Sequence, residues 1–138
     1  MDYIKNIIKE NSPILFSTVR EDGTPETRAL ENSFNARQVF NDDKIELYYG
    51  THTGLDKTIQ LENNNKASVY VSLLDFRNLT LFGTAEIVTD KAIKESLWFD
   101  ELLEQYDGKD DEMYCLIKFT PNEYKYYDQE RNKIEGEL

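Results

Sequence analysis

The 138-residue chain has few of the residues from which most metal sites and covalent catalytic sites are built. It contains one histidine, His52, and one cysteine, Cys115. One histidine excludes a histidine-rich metal site, and one cysteine cannot form a disulfide within the chain. Cys115 alternates with apolar residues of a predicted strand, so we expect a buried thiol and not a nucleophile.

Positive charge is also scarce. The chain has 16 Lys and Arg residues against 27 Asp and Glu residues, which gives a net charge of −11. Because nucleic acids and anionic membranes would be repelled, we expect neither as a partner. With no apparent leader peptide and no long apolar run, the sequence predicts a cytoplasmic protein. A single anionic ligand would need a local basic pocket.

The sequence does have the material for a folded core. Hydrophobic residues make up 39% of the chain, which includes nine tyrosines and seven phenylalanines. A domain of this length buries roughly 68% of its extended-chain surface. We therefore predict one domain over residues 1–138.

Hydrophobic periodicity predicts a mainly β chain with two or three helices. Helices are predicted over residues 2–10, 54–63 and from Asp90 to about 107; strands are predicted over 14–19, 27–34, 45–49, 67–73, 79–88, 113–119 and 123–128. Asp22-Gly23 is expected to form a hairpin turn and 120–122 a second turn, while the charged residues 129–138 are expected to fray or to cross to a partner subunit. This many short strands favours a closed or nearly closed antiparallel barrel.

Gly83 interrupts the side-chain row of the predicted strand 79–88. A glycine inside a strand marks either a β-bulge or a place where another group approaches the backbone closely. Both interpretations are open from the sequence.

The stretch from Thr51 to Leu61 is where a strand is predicted to lead into a helix. The hydroxyls of Thr51 and Thr53, the flexible Gly54, the helix N–H groups and Lys57 would suit a phosphate, because a helix N-terminus carries partial positive charge. The alternative is an ordinary helix start in which Thr53 and Asp56 form an approximate capping box.

Arg28 lies in the second predicted strand and also has two interpretations. It is either an exposed strand charge or a bidentate anion ligand. If this strand neighbours the strand that precedes Thr51, Arg28 would join Thr51, Thr53 and Lys57 in one place.

Three blocks of sequence resemble a known family in their order and spacing. They are Thr27-Arg28-Ala29-Leu30 after the Asp-Gly turn; Leu47-Tyr48-Tyr49-Gly50-Thr51 leading through Lys57-Thr58-Ile59-Gln60-Leu61-Glu62-Asn63-Asn64; and Leu79-Thr80-Leu81-Phe82-Gly83-Thr84-Ala85-Glu86-Ile87-Val88. Together they resemble the pyridoxamine 5′-phosphate oxidase-like FMN-binding split barrels, in particular the short general-stress-protein branch.

The resemblance implies a six-stranded antiparallel split barrel that forms a homodimer and holds FMN in clefts between the subunits. Arg28, Ala29 and Leu30 would line the flavin and its phosphate, and Thr51 and Lys57 would hold the phosphate. Phe82, Gly83 and Thr84 would contact the ring from the other subunit. The sequence departs from the family at Leu55 and Asp56, where relatives often carry a serine and a second basic residue.

The resemblance implies an FMN-dependent oxidoreductase that acts on a small molecule or a nicotinamide cofactor. In such an enzyme the cofactor carries the redox chemistry, and no side chain of this sequence is assigned as a catalytic acid or base. The alternative is a flavin-binding or flavin-sensing module without turnover, or a split barrel that has lost its flavin. Asp56 favours this alternative.

Overall fold

A computed structural model describes residues 2–11, 13–30, 36–41 and 44–138, with 36–41 described as backbone only. It contains the helices α1 (Asp2–Glu10), α2 (Asp56–Asn63) and α3 (Lys91–Ser96), a 3₁₀ turn (Asp100–Glu104), and the strands β1 (Ile14–Val19), β2 (Pro25–Leu30), β3 (Ala36–Asn41), β4 (Lys44–His52), β5 (Lys66–Ser72), β6 (Asn78–Val88), β7 (Tyr114–Tyr127) and β8 (Lys133–Glu137). No helix in these ranges is long and apolar enough to cross a membrane.

The strands form one antiparallel sheet in the order β2-β1-β5-β6-β7-β4-β3, and β8 pairs with the second half of β7. Within the described ranges no pairing joins β2 to β3, so the sheet stays open in the manner of a split barrel. The predicted fold class, mainly β with two to three helices, is confirmed. The described residues form eight strands, whereas the resemblance implied six.

The core forms where alternate strand residues meet inside the curved sheet. Phe16, Leu81 and Phe119 are fully buried, and the rings of Phe16 and Phe119 pack edge to face with centroids 6.2 Å apart. The apolar side of α1 completes this core, because Ile4, Ile7 and Ile8 are buried against it. The predicted helix over residues 2–10 and the 14–19 hairpin strand are confirmed.

A second, smaller core lies between β4, β7 and the segment that follows α3. Its buried members are Tyr48, Val88, Leu102, Tyr106, Tyr114 and Leu116, and Leu97, Trp98 and Phe99 pack against it. Trp98 meets the edge of Tyr114 with ring centroids 5.3 Å apart. Trp98 is therefore an anchor of this second core.

The long helix predicted from Asp90 to about 107 is wrong in its extent. Asp90 does cap the helix, since its carboxylate accepts the N–H of Ile93 at 3.0 Å. However, α3 ends at Ser96, and Phe99 has extended backbone angles before the 3₁₀ turn begins. Packing of residues 97–99 on the second core interrupts the helix that their local pattern favours.

The turn predicted at 120–122 is also wrong. Strand β7 runs through these residues without a break, and its pairing with β6 changes register at Phe82 and Gly83. Pro121 lies opposite Gly83, and Asn122 is the extra residue of the bulge. A bulge is one of the few places where a sheet accepts proline, so the Pro-Asn pair, which resembles a turn in the sequence, lies within a strand here.

Residues 129–138 were expected to fray or to cross to a partner, but half of them form β8 within the chain. Lys133–Glu137 pairs with Glu123–Tyr127 of β7, and the Leu138 N–H donates to the carbonyl of Asn122 at 2.9 Å. The charged composition of β8 fits its exposed position along β7.

Gly83 is required by the close approach of β7. A Cβ at this position would lie 2.2 Å from the carbonyl oxygen of Thr120 and 2.7 Å from Cα of Pro121. Both of the interpretations offered by the sequence hold, since Gly83 lies at a bulge and another backbone packs against it. That backbone belongs to the same chain.

We expect Gly83→Ala to lower the free energy of unfolding by about 1–3 kcal/mol, the usual cost of overpacking. Gly50→Ala is the matched control, because a Cβ there would meet only Tyr114, at an ordinary 3.6 Å. Urea unfolding of both variants measures the difference. Equal stability of the two would contradict the close approach of β6 and β7.

Candidate anion site

Helix α2 begins without a side-chain cap. Its N-cap residue is Leu55, which has no polar side-chain atom, and the first intrahelical acceptor is the Leu55 carbonyl. The N–H groups of Asp56 and Lys57 precede the first intrahelical bond, so they have no acceptor within the helix. The helix start therefore offers two backbone donors.

The predicted capping box is wrong. Thr53 lies two residues before the N-cap, its hydroxyl donates to the Glu112 carbonyl at 3.0 Å, and its N–H donates to the Met113 carbonyl at 2.8 Å. Thr53 thus fastens the loop before α2 to the segment that leads into β7. Thr51 is buried in β4 opposite Cys115, whose thiol donates to the Thr51 carbonyl at 3.6 Å.

Arg28 is not a freely solvated strand charge. Its side chain is 20% exposed and lies on the core-facing side of β2, opposite Phe16. Nη1 donates to the hydroxyl of Thr18 at 2.7 Å and to the carbonyl of Phe16 at 3.3 Å, while Nη2 donates to Glu26 Oε2 at 2.8 Å. The barrel therefore fixes the direction in which the guanidinium points.

Four side chains from β1, β2 and α2 form a closed ring of hydrogen bonds. Arg28 donates to Thr18 and to Glu26; Thr18 donates to Gln60 Oε1; and Gln60 Nε2 donates to the same Glu26 oxygen at 3.2 Å. We call Thr18, Glu26, Arg28 and Gln60 the polar ring. It holds the first turns of α2 against the β1–β2 hairpin.

Lys57 lies close enough to Arg28 for the two charges to repel. Partial burial lowers the pKa of Lys57, and the neighbouring Arg28 lowers it further, while Cys115 and Asp56 act in the opposite direction. Among the described residues, no carboxylate forms an ion pair with Lys57. Arg28, Lys57 and the start of α2 form what we call the anion site.

Strand pairing is not the reason for this proximity. The sequence left open that β2 and β4 are neighbours, but β1, β5, β6 and β7 lie between them in the sheet order. Lys57 reaches Arg28 because α2 packs back over β1, where Gln60 meets Thr18. The helix, and not strand pairing, brings the two cations together.

A cleft of about 740 Å³ opens beside the polar ring, between the β1–β2 turn and α2. Glu26 and Gln60 of the ring line it, together with Val19, Arg20, Glu21, Gly23, Asp56, Ile59, Asn63 and Asn64. The turn confirms the Asp-Gly hairpin prediction, since Gly23 has φ of +88°. The cleft gives a bound molecule access from solvent to Glu26 and Gln60, while Thr18, Arg28 and Lys57 are not among the residues that line it.

Of the other predicted site residues, Ala29, Phe82 and Thr84 lie on the opposite side of the sheet, whereas Leu30 lies on the same side as Arg28. Ala29 is exposed on β2, Leu30 packs partly against the main core, and Phe82 and Thr84 are exposed on β6. The ammonium of Lys125 lies 5.6 Å from the centre of the Phe82 ring. Within one chain, the structure therefore separates Ala29, Phe82 and Thr84 from the anion site.

An uncharged patch surrounds Ala29 and Phe82 on this outer side of the sheet. Strand pairing places two rows of side chains across β2, β1, β5 and β6: Thr27, Ser17, Ser68 and Phe82 in one, and Ala29, Leu15, Tyr70 and Thr80 in the other. We call these eight residues the outer patch. It is unusual in a chain in which 31% of the residues are charged.

The carboxylates with the strongest pKa shifts, Glu46 and Asp75, are already partnered. Hydrogen bonds from Lys44, at 2.6 Å, and from Tyr48, at 2.6 Å, lower the pKa of Glu46 to about 2. Cys115 is buried, as the sequence predicted, and burial raises the pKa of its thiol. Among the residues that the structure describes, no group of three or more His, Cys, Asp or Glu side chains is arranged to hold a metal ion.

Sequence reasoning missed three members of the polar ring. No role was predicted for Thr18, Gln60 or Glu26. One signal was available for Glu26, since residues two apart on a strand share a face and an opposite charge beside Arg28 invites pairing. The contact between Thr18 and Gln60 spans 42 residues and depends on the fold.

The donors of the anion site fit the phosphate of FMN. Arg28 and Lys57 supply two positive charges, and the uncapped helix start supplies backbone N–H groups, which is the chemistry that a phosphate requires. Gly83 does not provide a cradle for the flavin ring on its core-facing side, because Thr120 and Pro121 occupy the space that a Cβ would take.

Comparison with known proteins agrees with this architecture. A family model described as pyridoxamine 5′-phosphate oxidase matches residues 1–128. A Clostridium acetobutylicum protein related to general stress protein 26 of B. subtilis superposes with a TM-score of 0.81 at 26% identity, over 99% of this chain and 93% of that chain. No curated protein matches the sequence.

Two further solved structures share the fold. General stress protein 26 from Bacillus anthracis is 25% identical, with a TM-score of 0.73 over 98% of this chain and 97% of its own. An FMN-binding protein from Nostoc punctiforme, related to pyridoxamine 5′-phosphate oxidase, is 14% identical, with a TM-score of 0.67 over 99% and 95%. Because the family model spans almost the whole chain, the protein belongs to the pyridoxamine 5′-phosphate oxidase family.

Proposed function

We propose that the protein binds FMN and is a flavin-dependent oxidoreductase acting on a small molecule or a nicotinamide cofactor. The observation that carries the proposal is the anion site, in which Arg28, anchored on Thr18 and Phe16, the partly buried Lys57 and the uncapped start of α2 supply positive charge and backbone donors in an acidic chain. Glu26 compensates the charge of Arg28, but among the described residues Lys57 has no carboxylate in an ion pair with it, so an anion beside the start of α2 would be attracted to Lys57. A phosphate would fit this position.

Each part of the anion site has a separate role in holding the phosphate. Arg28, held by Thr18 and Phe16, would donate from a fixed direction, whereas Lys57 would act as a movable point charge. The backbone N–H groups of Asp56 and Lys57 would add neutral donors. Bound flavin would supply the hydride chemistry, and the chain would supply orientation and charge.

Family membership supports this assignment, since the matching family is named for an oxidase. The Nostoc punctiforme relative is described as FMN-binding, although its 14% identity bears on the fold alone. The cofactor therefore rests on the chemistry of the anion site together with the family.

We further propose that the protein is a homodimer in which the outer patch meets a second copy. Leu15 and Phe82 of the patch are each 38% exposed, and none of its eight side chains carries charge. Burying uncharged surface stabilises association, whereas the charged remainder of this chain would repel a second copy. A dimer would bring Phe82 and Thr84 of one chain towards a site on the other.

A second candidate function is a flavin-binding or flavin-sensing module without turnover, or a split barrel without flavin. Two carboxylates favour it. Glu26 already pairs with Arg28 at 2.8 Å, and Asp56 occupies the first turn of α2 where relatives often carry positive charge. Both reduce the attraction of the anion site for a phosphate.

We expect Arg28→Ala and Lys57→Ala each to weaken FMN binding by about 1–3 kcal/mol, the range for a charge-assisted hydrogen bond. Lys133→Ala is the control, because this substitution removes the same charge on β8, where Lys133 pairs with Glu135. Fluorescence titration with FMN gives the dissociation constants. The site is refuted if both constants match that of the wild type.

Turnover is tested on the flavin-loaded protein under anaerobic conditions. If the protein is an oxidoreductase that uses nicotinamide, mixing with NADH or NADPH should reduce the flavin, which is seen as a loss of its visible absorbance. Free FMN at the same concentration provides the background rate. A flavin that binds but stays oxidised with both reductants favours the module without turnover.

The dimer is tested by sedimentation velocity at tens of micromolar protein. We expect a dimer for the wild type and a monomer for Phe82→Glu, because a buried unpaired charge opposes association. Leu74→Glu is the control, since Leu74 is fully exposed in the loop between β5 and β6, outside the outer patch. A wild-type monomer contradicts the shared cleft.

A further inference from the structure

The two ends of the Arg28 guanidinium are held in different ways. Nη1 is bonded to Thr18 and to the Phe16 carbonyl, and these two residues are 1% and 0% exposed. Nη2 is bonded to Glu26, whose side chain is 39% exposed. One end of Arg28 is therefore fixed by the core, and the other end is held by a carboxylate that solvent can reach.

The Glu26 carboxylate presents to Arg28 the same kind of acceptor that a phosphate would present. Carboxylate and phosphate oxygens both accept charge-assisted hydrogen bonds from a guanidinium. Glu26 also lines the 740 Å³ cleft beside α2. It has open space into which it can turn without displacing a buried side chain.

We propose that Glu26 is an internal competitor for the anion site and thereby sets which anions the site accepts. The proposal rests on the FMN-binding function above and deepens it. In the free protein Glu26 occupies Nη2 of Arg28. A phosphate that binds between Arg28 and Lys57 displaces the Glu26 carboxylate into the cleft.

Competition of this kind favours ligands of high negative charge. With Glu26 in place, the Arg28 charge is compensated and Lys57 alone attracts an anion; after displacement both cations do. A dianionic phosphate is attracted strongly by both cations. A monoanion is attracted to Arg28 little more strongly than the Glu26 carboxylate is, so it does not readily displace Glu26. The uncharged flavin riboflavin would not displace Glu26.

The test compares wild type, Glu26→Gln, Glu26→Ala and Glu21→Gln. Glu21 lines the same cleft, and its replacement removes the same charge without removing a contact to Arg28. We expect both Glu26 variants to bind FMN about threefold to tenfold more tightly than the wild type. Glu21→Gln should bind FMN as the wild type does.

Riboflavin and inorganic phosphate complete the experiment. Riboflavin affinity should be equal in all four proteins, while inorganic phosphate should compete with FMN more strongly in the Glu26 variants. Thermal unfolding of each variant confirms that it is folded. If the two Glu26 variants bind FMN while the wild type and Glu21→Gln do not, this result also supports competition by Glu26.

Two results would overturn the proposal while leaving the FMN-binding function in place. One is equal FMN affinity in wild type and Glu26→Gln. The other is weaker binding by Glu26→Ala, which would mean that Glu26 positions Arg28 and does not compete. If none of the four proteins binds FMN at millimolar concentration, both the function and the competitor are wrong.

Discussion

The candidate site depends on the hydrogen bond between Arg28 and Thr18. Thr18 is 1% exposed, so its hydroxyl needs partners within the protein, and it finds one in Arg28 and another in Gln60. A buried hydroxyl left without a partner would cost about 1–3 kcal/mol. The requirement to satisfy Thr18 thus fixes both the direction of Arg28 and the position of α2, and it places Lys57 beside Arg28.

The location of the ring explains why the charges can persist in a folded chain. The side chains of Arg28 and Glu26 are 20% and 39% exposed, so water can solvate part of each, while Thr18 is buried. Full burial of Arg28 and Glu26 would cost several kcal/mol for each ion. At the end of the sheet, next to an open cleft, the same pair avoids most of that penalty and remains reachable by a ligand.

Much of the fold followed from local pattern, because alternation, turn residues and helix periodicity act over short distances. The β1–β2 hairpin, α1 and the glycine bulge are examples. The errors share a physical cause: contacts between distant segments outweighed local preference. Pro121 resembled a turn residue, yet pairing with Gly83 carries β7 through it. The helix after Asp90 was interrupted by the second core.

The site residues were predictable to a different degree. Arg28 and Lys57 were identified by charge in an acidic chain and by resemblance, but their proximity was attributed to strand pairing. Thr53 was expected either to bind the phosphate or to form a capping box, and the capping box is wrong because its hydroxyl is bonded to the Glu112 carbonyl. Such hydrogen-bond partners depend on which distant loop packs against the residue, and this cannot be predicted from local sequence patterns.

The position of β2 at the end of the sheet order resolves an apparent conflict within the predicted site. Neighbouring residues of a strand point to opposite faces, so Arg28 faces the core while Ala29 faces the outer patch. In a central strand these two side chains would belong to different surfaces. At the edge of a sheet, a single groove running along the strand can border both faces. Arg28 and Ala29 can therefore contribute to one cleft without any change in the backbone, provided that a second surface closes the groove from outside.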